Sequence, residues 1–201
     1  MRTFRQYAHM EAQLGHSVWS WLALAQHHGL QTRLLDWTWS PLVAAHFVTA
    51  NLNEFDVDGM IWCIDYRKSN RRLPKPLREL AEREGTDVFT GEMLDEVADS
   101  LDKLRRLSKD DFVLFLEPPS VDERIVSQFA LFSLMSDPTK RLDKFLEQHP
   151  ELARKIVIPA KLKWEVRDKL DQSGINERML YPGLDGLARW LSRYYRMRPP
   201  D

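Results

Sequence analysis

The sequence predicts an α+β fold: a single domain with a helical N-terminal part and a small mixed sheet flanked by helices. Three observations carry this. Residues 3–51 read as three helices with no strand among them. The runs MIWCI (60–64), FVLFL (112–116) and KIVI (155–158) are apolar at nearly every position, as buried strands are. Between those runs lie amphipathic stretches of mixed charge, long enough for helices that cover a sheet.

Composition allows one core of ordinary size. The chain has 201 residues, 43% of them hydrophobic, and no repeat, low-complexity tract or long linker argues for a second domain. Lys plus Arg (29) balance Asp plus Glu (30), for a formal net charge of -1, which provides no global attraction to nucleic acid or an anionic membrane. Residues 1–15 lack the apolar core of a secretory signal, and no run approaches the roughly 18 apolar residues of a membrane helix. Cys63 is the only cysteine, so no intramolecular disulfide forms, and a reduced, cytoplasmic setting is expected. Its place within MIWCI makes it a buried structural thiol.

The elements follow in order. Residues 3–14 suit a helix. Ser17 caps a second over 18–28, with Val18, Trp21, Leu22 and Ala25 on its core face and Gln26 on another, at the mouth of the next loop. Gly29 has the place of a C′ glycine, with Leu30 folding back on the last turn. Ser40 followed by Pro41 is an N-cap followed by a first-turn proline, opening a helix over 41–51. Asp58-Gly59 turns into the strand MIWCI, expected at the centre of the sheet. Residues 67–76 (RKSNRRLPKP) form a basic, proline-punctuated loop, and 77–84 and 91–107 form two amphipathic helices. FVLFL is the second strand and ends at Glu117. In DERIVSQFALF (122–132) a helix sets Arg124 and Gln128 one turn apart on one face, with Phe129, Leu131 and Phe132 as core. A helix over 140–148, the strand KIVIPA, a helix over 160–172 stopped by Gly174, a short strand in ERMLYP (177–182) and a last helix through Leu184, Leu187 and Leu191 complete the chain before a frayed tail, 196–201.

Chemistry concentrates in residues 26–47, QHHGLQTRLLDWTWSPLVAAHF. Arg33 and Asp36 are placed to pair across a tight bend, Thr32 and Thr38 supply hydroxyls, and Trp37 supplies a wall with an indole donor. This cluster has two readings. The structural one staples two helices together. In the functional one Arg33 offers a planar fork to phosphate or carboxylate and Trp37 stacks on a ring, as in a nucleotide pocket. His27 and His28 suit the last turn of a helix, where the dipole favours an imidazolium. With Asp36 they are a weak metal candidate, because neighbouring helical residues point about a hundred degrees apart and no third His or Cys has ligand spacing. No metal is expected. The chain also lacks GxGxxG, GxxxxGK and GxSxG, which disfavours conventional Rossmann, P-loop and serine-hydrolase chemistry.

The same stretch resembles the FRG domain, a family marked by a segment close to QHxGxxTRLLDWTxSPLxAxxF. Gln26, His27, Gly29, Thr32, Arg33, Asp36, Trp37, Thr38, Ser40, Pro41 and Phe47 match it, and residues 122–132 and 174–191 look like the family's later blocks, so the likeness spans most of 1–201. The family's aromatic-Arg-Gly element is missing: Phe4-Arg5 is followed by Gln6.

Three readings stay open at this point. By the resemblance, the chain is an NAD-using, ADP-ribosyltransferase-like enzyme, with Arg33, Asp36, Glu117 and Glu123 as catalytic candidates and Gln26, His27, Thr32, Trp37, Thr38, Arg124 and Gln128 around the nucleotide. Alternatively it is a non-catalytic module that recognises a nucleotide, a protein or a nucleic acid. Or the signature only holds the fold. The resemblance also implies a role in bacterial stress or phage defence. No membrane partner is expected.

Overall fold

Side-chain caps set most helix starts, because a capping oxygen satisfies an amide that has no partner inside the helix. The computed structural model describes residues 2–8, 15–120 and 122–196. It begins with α1 (Arg2–Ala8) and α2 (Val18–His27), the second capped by Ser17. A short strand, β1 (Leu35–Thr38), leads to Ser40, whose hydroxyl accepts from Val43 N at the start of α3 (Pro41–Val48). Then come β2 (Gly59–Ile64), α4 (Tyr66–Asn70) capped by Asp65, and α5 (Lys75–Glu84). Thr90 caps α6 (Gly91–Val97) and Ser100 caps α7 (Leu101–Arg106). The strand β3 (Val113–Leu116), α8 (Glu123–Ser127) capped by Asp122, and β4 (Ala130–Met135) follow. The chain continues with α9 (Leu142–Gln148), β5 (Ala153–Ile158) and α10 (Lys163–Gln172), then α11 (Glu177–Leu180) capped by Asn176 and α12 (Leu184–Tyr194).

These elements fall into two compact units: Met1–Trp37, Cys63–Pro119 and Leu131–Arg154 form the first, and Thr38–Trp62, Ser120–Ala130 and Lys155–Asp201 the second. The first holds a three-stranded sheet in the order β1, β4, β3. β3 and β4 run antiparallel, with Val113 opposite Met135 and Leu116 opposite Phe132. Its core joins Trp19 and Leu22 of α2, Leu77 and Leu80 of α5, Leu94 of α6 and Leu104 of α7 to Phe112, Leu114, Leu116, Phe132 and Leu134. Full burial of each such side chain stabilises by about 1.5–3 kcal/mol. Trp19 also donates its indole N–H to Ala98 O at 2.9 Å, so the polar end of the largest core residue is satisfied.

The second unit buries a different mixture. Val43, Ile125, Leu170 and Leu180 are apolar, but His46, Thr49, Lys163, Arg167 and Glu177 are buried with them. Its α11 packs closely on α12, where a Cβ at Gly186 would lie 1.8 Å from Tyr181 O. β2 pairs with β5 in a two-stranded sheet, and the Lys155 ammonium lies 4.1 Å from the centre of the Trp62 ring.

The mixed α+β class with helix-flanked strands agrees with the sequence reading, but the strands form two sheets where one was expected, and several elements differ. β2 is not central: it pairs with β5 alone, and Met60 and Cys63 are exposed. A two-stranded sheet leaves one face open, so Cys63 is no core thiol. β1 and β4 were expected as loop and helix, yet β4 is the middle strand. Its apolar run follows a helical segment without punctuation, so periodicity does not separate the two. Phe129 is 48% exposed rather than core. The expected basic loop begins as a helix instead, α4, which Asp65 caps. The stretch 91–107 is two helices because Ala98 is extended and Ser100 caps anew. ERML is the helix α11 rather than a strand, since Asn176 accepts from Met179 N at 3.2 Å. The rest of the first expected helix, 9–14, and the tail from 197 lie outside the described residues.

Candidate functional site

The signature folds first as a helix stop. Gly29 at φ +81° lets its N–H reach Gln26 O at 2.9 Å and lets Leu30 N–H reach Ala25 O at 2.9 Å, a Schellman closure. Gln26 then becomes a hub in the first unit. Its Nε2 donates to Asp36 Oδ2 at 2.8 Å, its Oε1 accepts from Thr32 Oγ1 at 2.8 Å, and Thr32 Oγ1 accepts from Leu34 N at 3.0 Å. The expected Arg33–Asp36 pair does not form. Arg33 instead donates through Nη2 to Met135 O, with a second contact to Ser136 O at 3.2 Å, and its Nε is buried without a partner. The guanidinium therefore ties off carbonyls at the end of β4, while Asp36 is held by Gln26. Burial lowers the Arg33 pKa, and nearby Asp137 works against that. Trp37 donates its indole N–H to Ser133 Oγ at 2.8 Å and meets the Phe115 ring edge-on, centroids 6.1 Å apart. The rings of His27 and His28 are 5.2 Å apart, also edge-on.

In the second unit Thr38 Oγ1 donates to Gln128 O at 2.7 Å and accepts from Ser40 N at 3.1 Å. Gln128 Nε2 donates to Leu180 O at 2.9 Å, which fastens the end of α8 to the end of α11. Between them Phe129 holds φ at +50°, an uncommon conformation for a side-chain-bearing residue, and its carbonyl accepts from Trp39 N at 3.1 Å.

The same unit holds a cleft. It has a volume of about 390 Å³ and is lined by Asp122, Glu123 and Arg124 together with Tyr181, Pro182, Asp185 and Arg189. Two guanidiniums rest against one ring: the Arg124 carbon is 4.9 Å and the Arg189 carbon 4.4 Å from the Tyr181 centroid. Arg is suited to this, being planar and weakly hydrated. Arg124 Nε is buried with no partner. Three carboxylates share the lining with these two cations, so the cleft presents both signs of charge. Glu117 directly follows β3 in the first unit, exposed, with its backbone N–H on Phe89 O at 2.8 Å, and does not line this cleft.

The second unit also holds a charge network absent from the sequence reading. Arg167, fully buried, contacts His46 Nδ1 at 2.8 Å and Glu177 Oε1 at 2.6 Å. Arg193 grips Glu177 at 2.7 and 2.9 Å and Asp171 at 2.7 and 2.8 Å. A guanidinium only donates, so His46 Nδ1 is an acceptor and the ring is neutral. Burial, then the Arg167 charge, push the His46 imidazole down to about 4. For Glu177, burial acts upward, but the Arg193 hydrogen bonds and Arg167 outweigh it and lower its pKa. Three residues of α10 signal this in the sequence: Lys163, Arg167 and Leu170 share one helical face, and all three are buried.

Among the described residues no group of three His, Cys, Asp or Glu side chains is placed to hold a metal. No described helix is long and apolar enough to cross a membrane. Residues 1–57 match the model of the FRG domain. No curated protein and no solved structure matches the chain.

Proposed function

We propose, starting from the match of residues 1–57 to the FRG domain model, that the chain is a nucleotide-binding protein whose ligand, of the NAD and ADP-ribose class, occupies the cleft of the second unit. The observation that carries this reading is the pair of guanidiniums, Arg124 and Arg189, held on Tyr181 beside Asp122, Glu123 and Asp185. A pyrophosphate takes planar, bidentate donors, which the two guanidiniums supply. Carboxylates accept from ribose hydroxyls and face a cationic ring favourably. A cleft of both signs thus suits NAD, with its anionic pyrophosphate and cationic nicotinamide, better than a simple polyanion. In this reading Glu123 is the carboxylate for ADP-ribosyltransferase-like chemistry, because it lines the same cleft as Arg124.

The signature residues of the first unit then have supporting roles. Gln26, Thr32, Arg33, Asp36 and Trp37 spend their hydrogen bonds on one another, on backbone or on Ser133, which favours a structural part for that segment.

The test is a thermal-shift titration of the chain with NAD, ADP-ribose and ATP. A ligand at about a hundred times its Kd stabilises by roughly 2.7 kcal/mol, a visible shift. The expected result is a shift with NAD and ADP-ribose that disappears in a folded Arg124→Ala/Arg189→Ala variant, with nicotinamide release, where measured, lost in Glu123→Gln. A shift that survives the double variant removes the cleft from the reading. No shift with any nucleotide leaves the non-catalytic, partner-binding module as the reading that stands.

A further inference from the structure

A second cleft lies wholly in the first unit, where the basic run 67–76 meets α5. Its volume is about 360 Å³, and its lining includes Arg67, Asn70, Arg71, Arg78, Glu82 and Asp87. That volume falls within the roughly 300–1,000 Å³ of small-molecule sites.

The charges around it are not paired evenly. On α4, α5 and the turn between them, most basic side chains have a partner. Arg67 pairs with Asp87, Lys68 with Asp65, Lys75 with Glu79, and Arg83 with Glu84 and Glu96, while Arg72 meets His149 Nε2. Among the described residues Arg71 and Arg78 have no ion pair and no side-chain hydrogen bond. Arg71 feels the field of Asp65 without contacting it. Both unpaired guanidiniums line the same cleft. A third, Arg67, is steadied there by Asp87 at 2.8 Å.

The cleft also holds acceptors. Asn70 Nδ2 donates to Asp87 O at 2.5 Å, which fixes the amide and leaves its Oδ1 buried without a partner. Glu82 has no ion pair among the described residues and adds a carboxylate. The lining thus combines three guanidiniums, which call for a doubly charged tetrahedral anion, with the carboxylates of Glu82 and Asp87, which call for hydroxyl donors. A bare phosphate answers only the first set and a neutral sugar only the second.

We propose that this cleft binds a phosphorylated sugar, its phosphate on Arg71 and Arg78 and its hydroxyls on Glu82. The site is separate from the nucleotide cleft and does not depend on it. A phosphate on two guanidiniums is a charge-assisted, bidentate contact, so removing both arginines weakens binding by at least about a hundredfold, roughly tenfold for each.

The experiment is calorimetric titration of the whole chain with ribose 5-phosphate, ribose and inorganic phosphate. It is repeated on Arg71→Ala/Arg78→Ala and on Arg124→Ala/Arg189→Ala, each checked for folding by circular dichroism. Arg71 and Arg78 are exposed, so their removal leaves the core intact. The expected result is binding of ribose 5-phosphate at least about tenfold tighter than either fragment, lost in the first variant and kept in the second. No heat with ribose 5-phosphate at about 10 mM overturns the proposal. So does inorganic phosphate binding as tightly as the ester, which reduces the site to a simple anion patch, or a loss of binding that follows Arg124 and Arg189 instead. Failure of the NAD titration with ribose 5-phosphate still bound would sink the nucleotide reading alone.

Discussion

Replacing His46 with Gln should flatten the acid limb of the stability curve. His46 is fully buried, and its Nδ1 lies 2.8 Å from Arg167 Nη1. Charging the ring would place a third cation beside Arg167 and Arg193, against the two carboxylates Glu177 and Asp171. Burial and Arg167 accordingly bring its pKa from 6.5 to about 4. In the unfolded chain the imidazole titrates normally. Between pH 6.5 and about 4 the unfolded state therefore takes up a proton that the folded state refuses, and stability falls as pH falls. Each pH unit in that window costs up to about 1.4 kcal/mol, roughly 3 kcal/mol in all. Against a typical total of about 5–15 kcal/mol this is readily measured. A Gln at position 46 keeps an acceptor for Arg167 and does not titrate. Urea unfolding of both proteins at several pH values from about 7.5 to 4.5 isolates the difference, because every other group titrates alike in the two. Glu177 contributes mainly below this range, since its folded pKa is lowered and its stabilising effect is lost only as pH passes through that value. The wild type should lose about 2–3 kcal/mol more than His46→Gln on acidification. Parallel curves would show that His46 is protonated in the folded protein and that the assigned tautomer and donor direction are wrong.

Two further substitutions test separate parts of the fold. Gly186→Ala forces a methyl to within 1.8 Å of Tyr181 O and 2.6 Å of Glu177 O, both backbone atoms. The α11–α12 contact must then open, so we expect a loss of several kcal/mol, or failure to fold, read from the melting temperature. Arg33→Ala leaves the carbonyls of Met135 and Ser136 without their donor. Denaturant unfolding should register about 1–3 kcal/mol lost, with NAD and ribose 5-phosphate binding unchanged at temperatures where the variant is folded. Loss of binding without loss of stability would return Arg33 to a ligand-contacting role.

How much of this was legible in the sequence depended on how far apart the cooperating residues lie. The Gly29 stop and the Ser17 and Ser40 caps were readable because each joins residues within one turn, and the structure shows those hydrogen bonds. FVLFL and KIVI were readable as strands from apolar content and flanking turns, although only FVLFL is buried throughout. β4 was hidden because ALFSLM follows α8 directly, and a buried strand next to a helix has no period of its own. Arg33 was assigned to Asp36 on nearness in sequence, yet its partners lie 102 and 103 residues away and are backbone carbonyls, which carry no residue-type signal. The cleft of the second unit was half visible: Glu123 and Arg124 stood out in a polar helix start, while Tyr181 and Arg189 came from a segment read as a strand and an apolar helix. Arg167 is the instructive case. A charged residue in the apolar register of α10 is expensive to bury, so its position alone demands a compensating carboxylate and a neutral acceptor elsewhere. The sequence states that demand but not its answer. Glu177 and His46 meet it from two other helices, and only the tertiary fold selects those two from the chain's many polar side chains.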